Sequence, residues 1–163
     1  MRVFGITGWK NTGKTTLTER LVTEFTRRGF TVSTVKHAHH AVDVDQSGTD
    51  SFRHREAGAS QVLLASANRW ALMNELRGAV EPDLDDLLNR LDLVDIVLVE
   101  GFKRAGHPKI ETHRKDVGHD LIAPGNPTIR AIATDIPLEV DRPTFDLDDI
   151  SGISDFILKE TAS

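Results

Sequence analysis

The segment GWKNTGKT, residues 8–15, constrains the fold more than any other part of the sequence, because glycine, lysine and threonine recur in it at fixed intervals. The preceding run RVFGIT, residues 2–7, is rich in β-branched and aromatic residues and stops at Gly8. Such a run is typical of a buried strand. From about Lys14, apolar residues recur at helical spacing until Gly29 ends the pattern, so we predict a helix there. The segment therefore joins a strand directly to a helix.

The spacing of this segment fits G-x-x-x-x-G-K-[ST], the phosphate-binding loop or P-loop, which occurs between a strand and a helix. Glycines allow the backbone to turn its amides toward phosphate oxygens, and the following helix adds the positive end of its dipole. In such a loop the lysine, here Lys14, reaches the β- and γ-phosphates, and the hydroxyl of Thr15 binds Mg²⁺. The segment predicts a site for a nucleoside triphosphate.

Strand and helix signals alternate along the rest of the chain. Residues 30–36 form a second predicted strand, and a strand-helix-strand unit joins parallel strands. Further helices are predicted at residues 49–58, 82–91 and 146–160, a β-hairpin at 60–66 and 69–75, strands at 94–101 and 128–135, and a long mobile loop at 116–127. The fold class is thus α/β: a P-loop nucleotide-binding fold with a mostly parallel sheet, helices on both faces and a small hairpin extension. At 163 residues, we expect a single domain over residues 1–163.

A magnesium site also needs an acidic residue at the carboxyl end of a buried strand beside the P-loop. Residues 94–101, VDIVLVEG, are the most hydrophobic run in the chain, and Glu100 ends it. We therefore predict Thr15 and Glu100 as the magnesium ligands. Asp95 stands at the other end of the same run, too far away to share the site.

The polar segment at residues 36–59 follows the second strand and allows two functional interpretations besides that of a solvated loop. In the first, Asp43 or Asp45 approaches the magnesium ion and nearby cations meet anionic groups; these cations are Lys36, Arg53 and Arg55. In the second, three histidines and an aspartate bind a transition metal, because imidazole suits zinc, nickel or copper; the histidines are His37, His39 and His40.

A second cluster of cations follows Glu100 in an otherwise acidic chain, whose formal net charge is -5. Its members are Lys103, Arg104, Lys109, Arg114 and Lys115. The cluster is either a patch that receives a phosphorylated partner or a charged surface loop. The acidic balance argues against a nucleic-acid partner. The absence of cysteine excludes disulfides and thiolate chemistry, and no apolar run approaches the roughly 20 residues of a membrane helix, so we expect a cytoplasmic protein without a membrane partner.

Several segments together resemble the MobB proteins of molybdenum-cofactor biosynthesis. In order they are GWKNTGKTTLTERLV, VKHAHHAVDVDQSGTDSFRHREAGASQVLLAS, RWALMNE, LVEGFK, PKIETHR and AIATDIPL. The resemblance implies a homodimer that binds GTP and Mg²⁺ and hydrolyses GTP weakly. It also implies that the chain assists MobA, the guanylyltransferase that joins GMP to molybdopterin, so molybdopterin or its guanine dinucleotide is a further ligand class.

Site residues follow from this resemblance by position. Thr15 and Glu100 would hold magnesium, and Lys14 and Asp45 would act at the γ-phosphate. The residues that would hold the phosphates are Gly8, Lys10, Asn11, Thr12, Gly13, Lys14, Thr15 and Thr16.

The guanine signature N-K-x-D of many GTPases is absent, so guanine preference rests on the resemblance alone. Asp135 ends the strand at 128–135 on the ligand edge and is predicted to recognise the base; the alternative is a turn cap before Pro137. Two other functions stay open: a small-molecule kinase that uses Arg53, Arg55 and the loop at 116–127, and a metal-delivering GTPase that uses the histidine cluster. Because the sequence contains no evident water-positioning glutamine, we expect slow unassisted hydrolysis.

Overall fold

The computed structural model describes residues 1–38 and 43–162. The chain divides into two compact units, Met1–His37 with Leu84–Ser163, and Ala38–Asp83. The single domain expected from the chain length stays a prediction. In chain order the elements are β1 (Arg2–Gly8), α1 (Lys14–Arg27), β2 (Val32–Lys36), α2 (Asp50–Glu56), β3 (Gln61–Ala65), β4 (Trp70–Asn74), α3 (Leu84–Leu88), β5 (Ile96–Glu100), β6 (Lys109–His113), β7 (Ile129–Thr134), β8 (Thr144–Asp146) and α4 (Ile150–Glu160).

The first unit is built on a six-stranded parallel sheet with the strand order β2-β5-β1-β6-β7-β8. Strand β5 is buried along its whole length, and its side chains alternate between two cores. Ile96 and Leu98 belong to the larger core, which also contains apolar residues of α1 and α4. Val97 and Val99 pack on the other face with Leu84 of α3. The prediction of a mostly parallel sheet with helices on both faces is confirmed.

Two strands of this sheet, β6 and β8, are not predicted by the sequence pattern. Strand β6 carries the sequence KIETH, whose polar residues Lys109, Glu111 and Thr112 are fully buried. Each is held by hydrogen bonds instead of apolar contacts, so the usual hydrophobic run of a central strand is missing. The carboxylate of Glu111, for example, accepts hydrogen bonds from the backbone amides of Ile122 and Ala123, both at 2.8 Å.

These two hydrogen bonds fix part of the segment predicted as a long mobile loop to the sheet. The segment contains two short 3₁₀ turns, Lys115–Val117 and Ala123–Gly125, the second of them beginning beside the Glu111 carboxylate. The predicted long loop at 116–127 thus includes two 3₁₀ turns, and a buried acid supplies acceptors for part of its backbone, while its mobility stays a prediction.

The second unit consists of α2 and the antiparallel hairpin of β3 and β4, as predicted. In the hairpin register, Leu63 lies opposite Leu72 and Ala65 opposite Trp70. Since side chains alternate across a strand, these four residues share one face. That face is exposed: Leu63 to 62%, Trp70 to 65% and Leu72 to 45%.

Within the described residues, no helix is both long enough and apolar enough to cross a membrane.

Candidate functional site

The P-loop runs from the end of β1 to the start of α1 and depends on two glycines with positive φ. Gly8 has φ 143° and Gly13, which caps α1, has φ 97°. A Cβ atom at Gly8 would stand 2.5 Å from the carbonyl oxygen of Thr112, so any other residue would collide with β6. Both positions therefore require glycine for backbone reasons.

Side chains of the loop hold its backbone in a closed turn. The Thr12 hydroxyl donates to the carbonyl oxygen of Trp9 at 2.8 Å, and Lys14 Nζ donates to the same oxygen at 2.5 Å. Within the described residues, α1 has no side-chain cap and no acidic residue in its first turn. Its first amides therefore point toward an anion site with the positive end of the helix dipole behind them.

The loop, the first turn of α1 and the end of β5 border a cavity of about 470 Å³. The structure brings together there most of the predicted site residues; the cavity is lined by Lys10, Asn11, Gly13, Lys14, Thr15, Thr16 and Glu100. The other two predicted loop residues, Gly8 and Thr12, are buried and shape the turn.

The cavity has a positive character that suits a polyanion. Burial lowers the pKa of Lys14; the charge of Glu100 acts against this, and the nearby cations Lys103 and Lys36 add to the lowering. A bound phosphate would favour the charged form of Lys14, so binding of an anion and protonation of the lysine support each other.

The predicted magnesium ligands lie side by side. Thr15 Oγ1 is 3.2 Å from both carboxylate oxygens of Glu100, which is only 8% exposed. Lys36 Nζ stands 3.3 Å from Glu100 Oε1, because β2 pairs with β5 in a register that sets Lys36 opposite Glu100. A hydroxyl and a carboxylate are oxygen donors of the kind that Mg²⁺ prefers. The described residues contain no group of three or more His, Asp or Glu side chains that could hold a metal, and a magnesium ion held by Thr15 and Glu100 would take its other ligands from water and phosphate oxygens.

One wall beside the P-loop was not foreseen from the sequence. The indole nitrogen of Trp9 donates to the carbonyl oxygen of Asp120 at 2.8 Å, and the Trp9 ring lies 4.9 Å from the ring of His119. Lys103 Nζ sits 4.5 Å from the centre of the Trp9 ring. Arg114 lies against Gly13. The signal that could have found Lys103 and Arg114 is the cluster of cations after Glu100.

That cluster is not one surface patch, because Lys109 is fully buried in β6. Its ammonium group donates to the carbonyl oxygens of Ala105 and His107, the latter at 2.8 Å, and to Thr128 Oγ1 at 3.0 Å. The inclusion of Lys109 in a phosphate-receiving patch is therefore wrong. Burial lowers its pKa to about 8.

Asp135 directly follows β7 and is exposed. Its carboxylate accepts a hydrogen bond from the backbone amide of Lys115 at 3.0 Å. It borders a separate cavity of about 260 Å³ between the ends of β7 and β8. A role for Asp135 in base recognition stays a prediction.

Asp45 lies in the second unit, where it pairs with Arg55. Burial acts to raise the pKa of Asp45, but hydrogen bonds, above all from Arg55, lower it on balance. Arg55 also binds Asp43 at 2.6 Å and Glu75 at 3.0 Å, so carboxylates of its own unit engage its guanidinium group. The role of Asp45 at a γ-phosphate stays a prediction.

The predicted histidine cluster is described only at His37, whose ring lies 4.8 Å from that of Phe102. His39 and His40 lie outside the described residues.

A parallel sheet in which a glycine-rich loop leaves the central strand for a helix, with an acid at the end of the adjacent strand, defines a P-loop nucleotide-binding protein. The family model described as "MobB: Molybdopterin guanine dinucleotide synthesis protein B" matches residues 3–135. The chain belongs to the MobB family.

Individual relatives agree with this assignment. The molybdopterin-guanine dinucleotide biosynthesis adapter protein of Haemophilus influenzae is 46% identical over 157 residues, which cover 95% of this chain and 86% of that protein. The protein of the same description from Escherichia coli is 40% identical over 156 residues, which cover 93% of this chain and 88% of the relative. The crystal structure of Bacillus subtilis MobB superimposes with a TM-score of 0.77 at 25% identity, covering 100% of this chain and 99% of that one.

Proposed function

We propose that this protein is a GTP-binding adapter of molybdopterin guanine dinucleotide biosynthesis that assists a MobA-type guanylyltransferase. The observation that carries the proposal is the single cavity in which the P-loop, Thr15 and Glu100 meet. The pathway comes from the descriptions of the family and of the relatives from Haemophilus influenzae and Escherichia coli.

Each residue of the cavity has a distinct task in binding the triphosphate. The amides of the loop and of the first turn of α1 bind phosphate oxygens, and Lys14 moves its ammonium group from the Trp9 carbonyl to the β- and γ-phosphates. Thr15 and Glu100, which are hydrogen-bonded to each other, would hold magnesium through their hydroxyl and carboxylate oxygens. Magnesium would neutralise charge on the phosphates. Asp45 is assigned to the γ-phosphate by family resemblance.

Preference for guanine follows from the resemblance to the family, and Asp135 is the residue predicted to recognise the base. Asp135 can contribute to it through a carboxylate oxygen, because one of its oxygens accepts from Lys115 and a carboxylate has further acceptor positions. A carboxylate acceptor suits the N–H groups on the edge of guanine and not the acceptor at the same position of adenine.

Hydrolysis by the protein alone is expected to be slow. Among the described residues that line the cavity, Glu100 is the one carboxylate and glutamine does not occur, so none is placed to orient an attacking water once Glu100 holds magnesium. A weak GTPase suits an adapter, whose task is to assist another enzyme.

We further propose that the protein is a homodimer whose interface is the exposed face of the hairpin. Leu63, Trp70 and Leu72 give that face a continuous apolar surface on a two-stranded sheet, and such sheets rarely persist in water without a covering partner. A second copy of the chain offers the same apolar face in return, as a two-fold interface requires.

A competition titration of GTP against ATP tests the nucleotide, and repeating it with molybdopterin-loaded guanylyltransferase tests the partner. We expect GTP to displace ATP and the partner to change the affinity for GTP. Equal binding of both nucleotides would contradict guanine specificity. The adapter role would be contradicted if the guanylyltransferase left the nucleotide affinities unchanged and formed no complex with this protein.

A further inference from the structure

Lys36 is the last residue of β2 and stands at the edge of the sheet where the nucleotide cavity opens. Strands β2 and β5 are parallel, and their register sets Lys36 opposite Glu100. Strand β5 pairs in turn with β1, from which the P-loop leaves the sheet. The strand order β2-β5-β1 therefore places Lys36, Glu100 and the P-loop in a row along this edge.

The contact between Lys36 and Glu100 is loose. Lys36 Nζ lies 3.3 Å from Glu100 Oε1, which is longer than the roughly 2.7–2.9 Å of a charge-assisted hydrogen bond. The Lys36 side chain is 59% exposed, whereas Glu100 is buried. Among the described residues, this ion pair is the only polar contact of the Lys36 side chain. A buried carboxylate thus has an exposed, weakly held ammonium group as its counter-ion.

Glu100 needs this counter-ion less when it holds magnesium. With a divalent cation bound by Thr15 and Glu100, the charge of the carboxylate is compensated without Lys36. Two cations on the same carboxylate also repel each other. The ammonium group of Lys36 is then available to another anion at the same edge of the sheet.

The sheet order indicates that this anion is the γ-phosphate. The amides of a P-loop hold the α- and β-phosphates, and magnesium bridges the β- and γ-phosphates. Because Thr15 and Glu100 are the predicted magnesium ligands, the γ-phosphate lies on the Glu100 side of the loop, which is also the side of Lys36. Lys14 is already affected by this cation: burial is the main cause of its lowered pKa, and Lys103 and Lys36 add to the lowering.

We propose that Lys36 binds the γ-phosphate and is the residue by which the cavity distinguishes a nucleoside triphosphate from a diphosphate. This inference rests on the proposed function and adds a residue to its site. In the structure the ammonium group compensates Glu100; beside a bound triphosphate it would donate to an oxygen of the γ-phosphate, which a diphosphate lacks. An ammonium group on a flexible four-carbon stem suits this change of partner.

The other two cations that the sequence put forward for an anionic group are less well placed. Arg53 and Arg55 belong to the second unit, whereas Lys36 shares the first unit with the P-loop and Glu100. Arg55 is moreover engaged by carboxylates of its own unit. Lys36 is therefore the cation of the three to which the structure gives a place beside the cavity.

Binding of GTP and of GDP, measured by calorimetry at saturating Mg²⁺, tests the inference, because the two nucleotides differ only in the γ-phosphate. Lys36→Met removes the charge and keeps a long, unbranched side chain. Loss of a contact between an exposed ammonium group and a phosphate predicts about tenfold weaker binding of GTP and GDP binding within about twofold of wild type. Retained binding of GDP also shows that the site of the variant is folded.

Two further variants serve as controls. Lys36→Arg keeps a cation at the same position and is expected to bind GTP within about threefold of the wild-type protein. Lys159→Met removes the charge of an exposed lysine in the last turn of α4 and is expected to change neither affinity.

Two results would overturn the inference while the proposed function stands. Equal losses of affinity for GTP and GDP in Lys36→Met would mean that Lys36 supports the site as a whole by compensating Glu100. Unchanged affinity for both nucleotides would mean that Lys36 does not touch the phosphates. Failure of the wild-type protein to bind GTP would instead reject the proposed function, and the inference with it, before any variant is compared.

Discussion

Thr12 of the P-loop and Thr112 of β6 share a buried hydrogen bond of 2.7 Å between their hydroxyl oxygens, across a sequence separation of 100 residues. Thr112 Oγ1 also lies 3.2 Å from the carbonyl oxygen of Thr7; because Thr12 donates its proton to Trp9, the single hydroxyl proton of Thr112 is shared between Thr12 Oγ1 and this carbonyl. The conformation of the phosphate-binding loop therefore depends on a strand that is distant in sequence and adjacent in the sheet.

Replacement of Thr112 by valine tests this dependence. Thr112→Val keeps the shape of the side chain but leaves the hydroxyl of Thr12 and the carbonyl of Thr7 with one partner fewer. Because the Thr12 hydroxyl keeps the Trp9 carbonyl as its acceptor, the cost is that of a lost hydrogen bond, about 0.5–1.5 kcal/mol, and we expect a lower free energy of unfolding in urea and weaker binding of GTP. Thr112→Ser retains the hydroxyl and serves as the control. A valine variant as stable as the serine variant would show that this bond is dispensable.

Lys14→Ala should weaken GTP binding, because it removes a charge-assisted contact to the phosphates. Bonds to charged groups contribute about 1.5–3 kcal/mol, which corresponds to a loss of roughly ten- to a hundredfold in affinity by calorimetry. Lys159→Ala removes an exposed lysine from the last turn of α4 and should leave the affinity unchanged. If Lys14→Ala binds GTP as tightly as the wild-type protein, the site has been assigned to the wrong residues.

Glu100→Gln should abolish most of the magnesium dependence of GTP binding. Glutamine keeps the size of the side chain and the acceptor for Thr15 but lacks the charge that a divalent cation requires. GTP affinity measured with Mg²⁺ and with EDTA should differ much less in the variant than in wild type. Asp95→Asn is the control. Asp95 directly precedes β5 and accepts hydrogen bonds from the amide and hydroxyl of Thr31, so this variant should be less stable but should respond to magnesium as the wild-type protein does. A full magnesium response in Glu100→Gln would remove Glu100 from the site.

The lowered pKa of Lys109 predicts that the free energy of unfolding changes at alkaline pH. Its pKa is lowered from 10.5 to about 8 by burial, so the unfolded chain binds more protons than the folded protein between these values. The free energy of unfolding should therefore rise as the pH increases from about 8 to 10.5, by on the order of 2–3 kcal/mol at about 1.4 kcal/mol per pKa unit.

Lys109→Met provides the comparison, since methionine does not titrate. The chain has no tyrosine and no cysteine, which removes two other side chains that titrate in this range. The difference in free energy of unfolding between the wild-type protein and the variant, measured in urea from pH 7 to 10.5, should increase with pH. A constant difference would show that Lys109 titrates normally in the folded protein.

Leu72→Asp should convert the proposed dimer to a monomer. The substitution places a charge opposite Leu63 in the centre of the exposed hairpin face. Sedimentation velocity should show a dimer for the wild-type protein and a monomer for the variant. Leu93→Asp, at a residue that is 91% exposed in the other unit, should remain dimeric. A wild-type protein that sediments as a monomer at micromolar concentration would contradict the proposed interface.

The sequence predicts the elements that follow simple patterns. Strands β1 and β5, helix α1 and the hairpin have the periodicity and the breakers expected of them, and the P-loop is a contiguous motif whose residues are read in order. Glu100 could be assigned to the nucleotide site from the sequence because it ends a uniformly apolar run. Strand β6 could not be predicted, since its residues Lys109, Glu111 and Thr112 are polar and are buried because hydrogen bonds in the folded chain satisfy them.

The same reason explains which parts of the site were missed. Thr112 and Arg114 reach the P-loop through the pairing of β6 with β1, and pairing partners are not encoded locally. The sequence shows a cluster of cations at residues 103–115, but charge alone does not distinguish the buried Lys109 from Arg114 beside the loop.

The central position of β1 has a consequence for synthesis of the protein. Its neighbours are β5 and β6, which begin at Ile96 and Lys109, so the ribosome releases the P-loop long before the strands that flank it. A nascent chain that stops before Thr112 lacks that residue, and one that stops before Glu100 lacks both, whatever the state of its first helix. The capacity to bind a nucleotide therefore arises late in translation, and a tightly held nucleotide marks a chain whose C-terminal half has already joined the sheet.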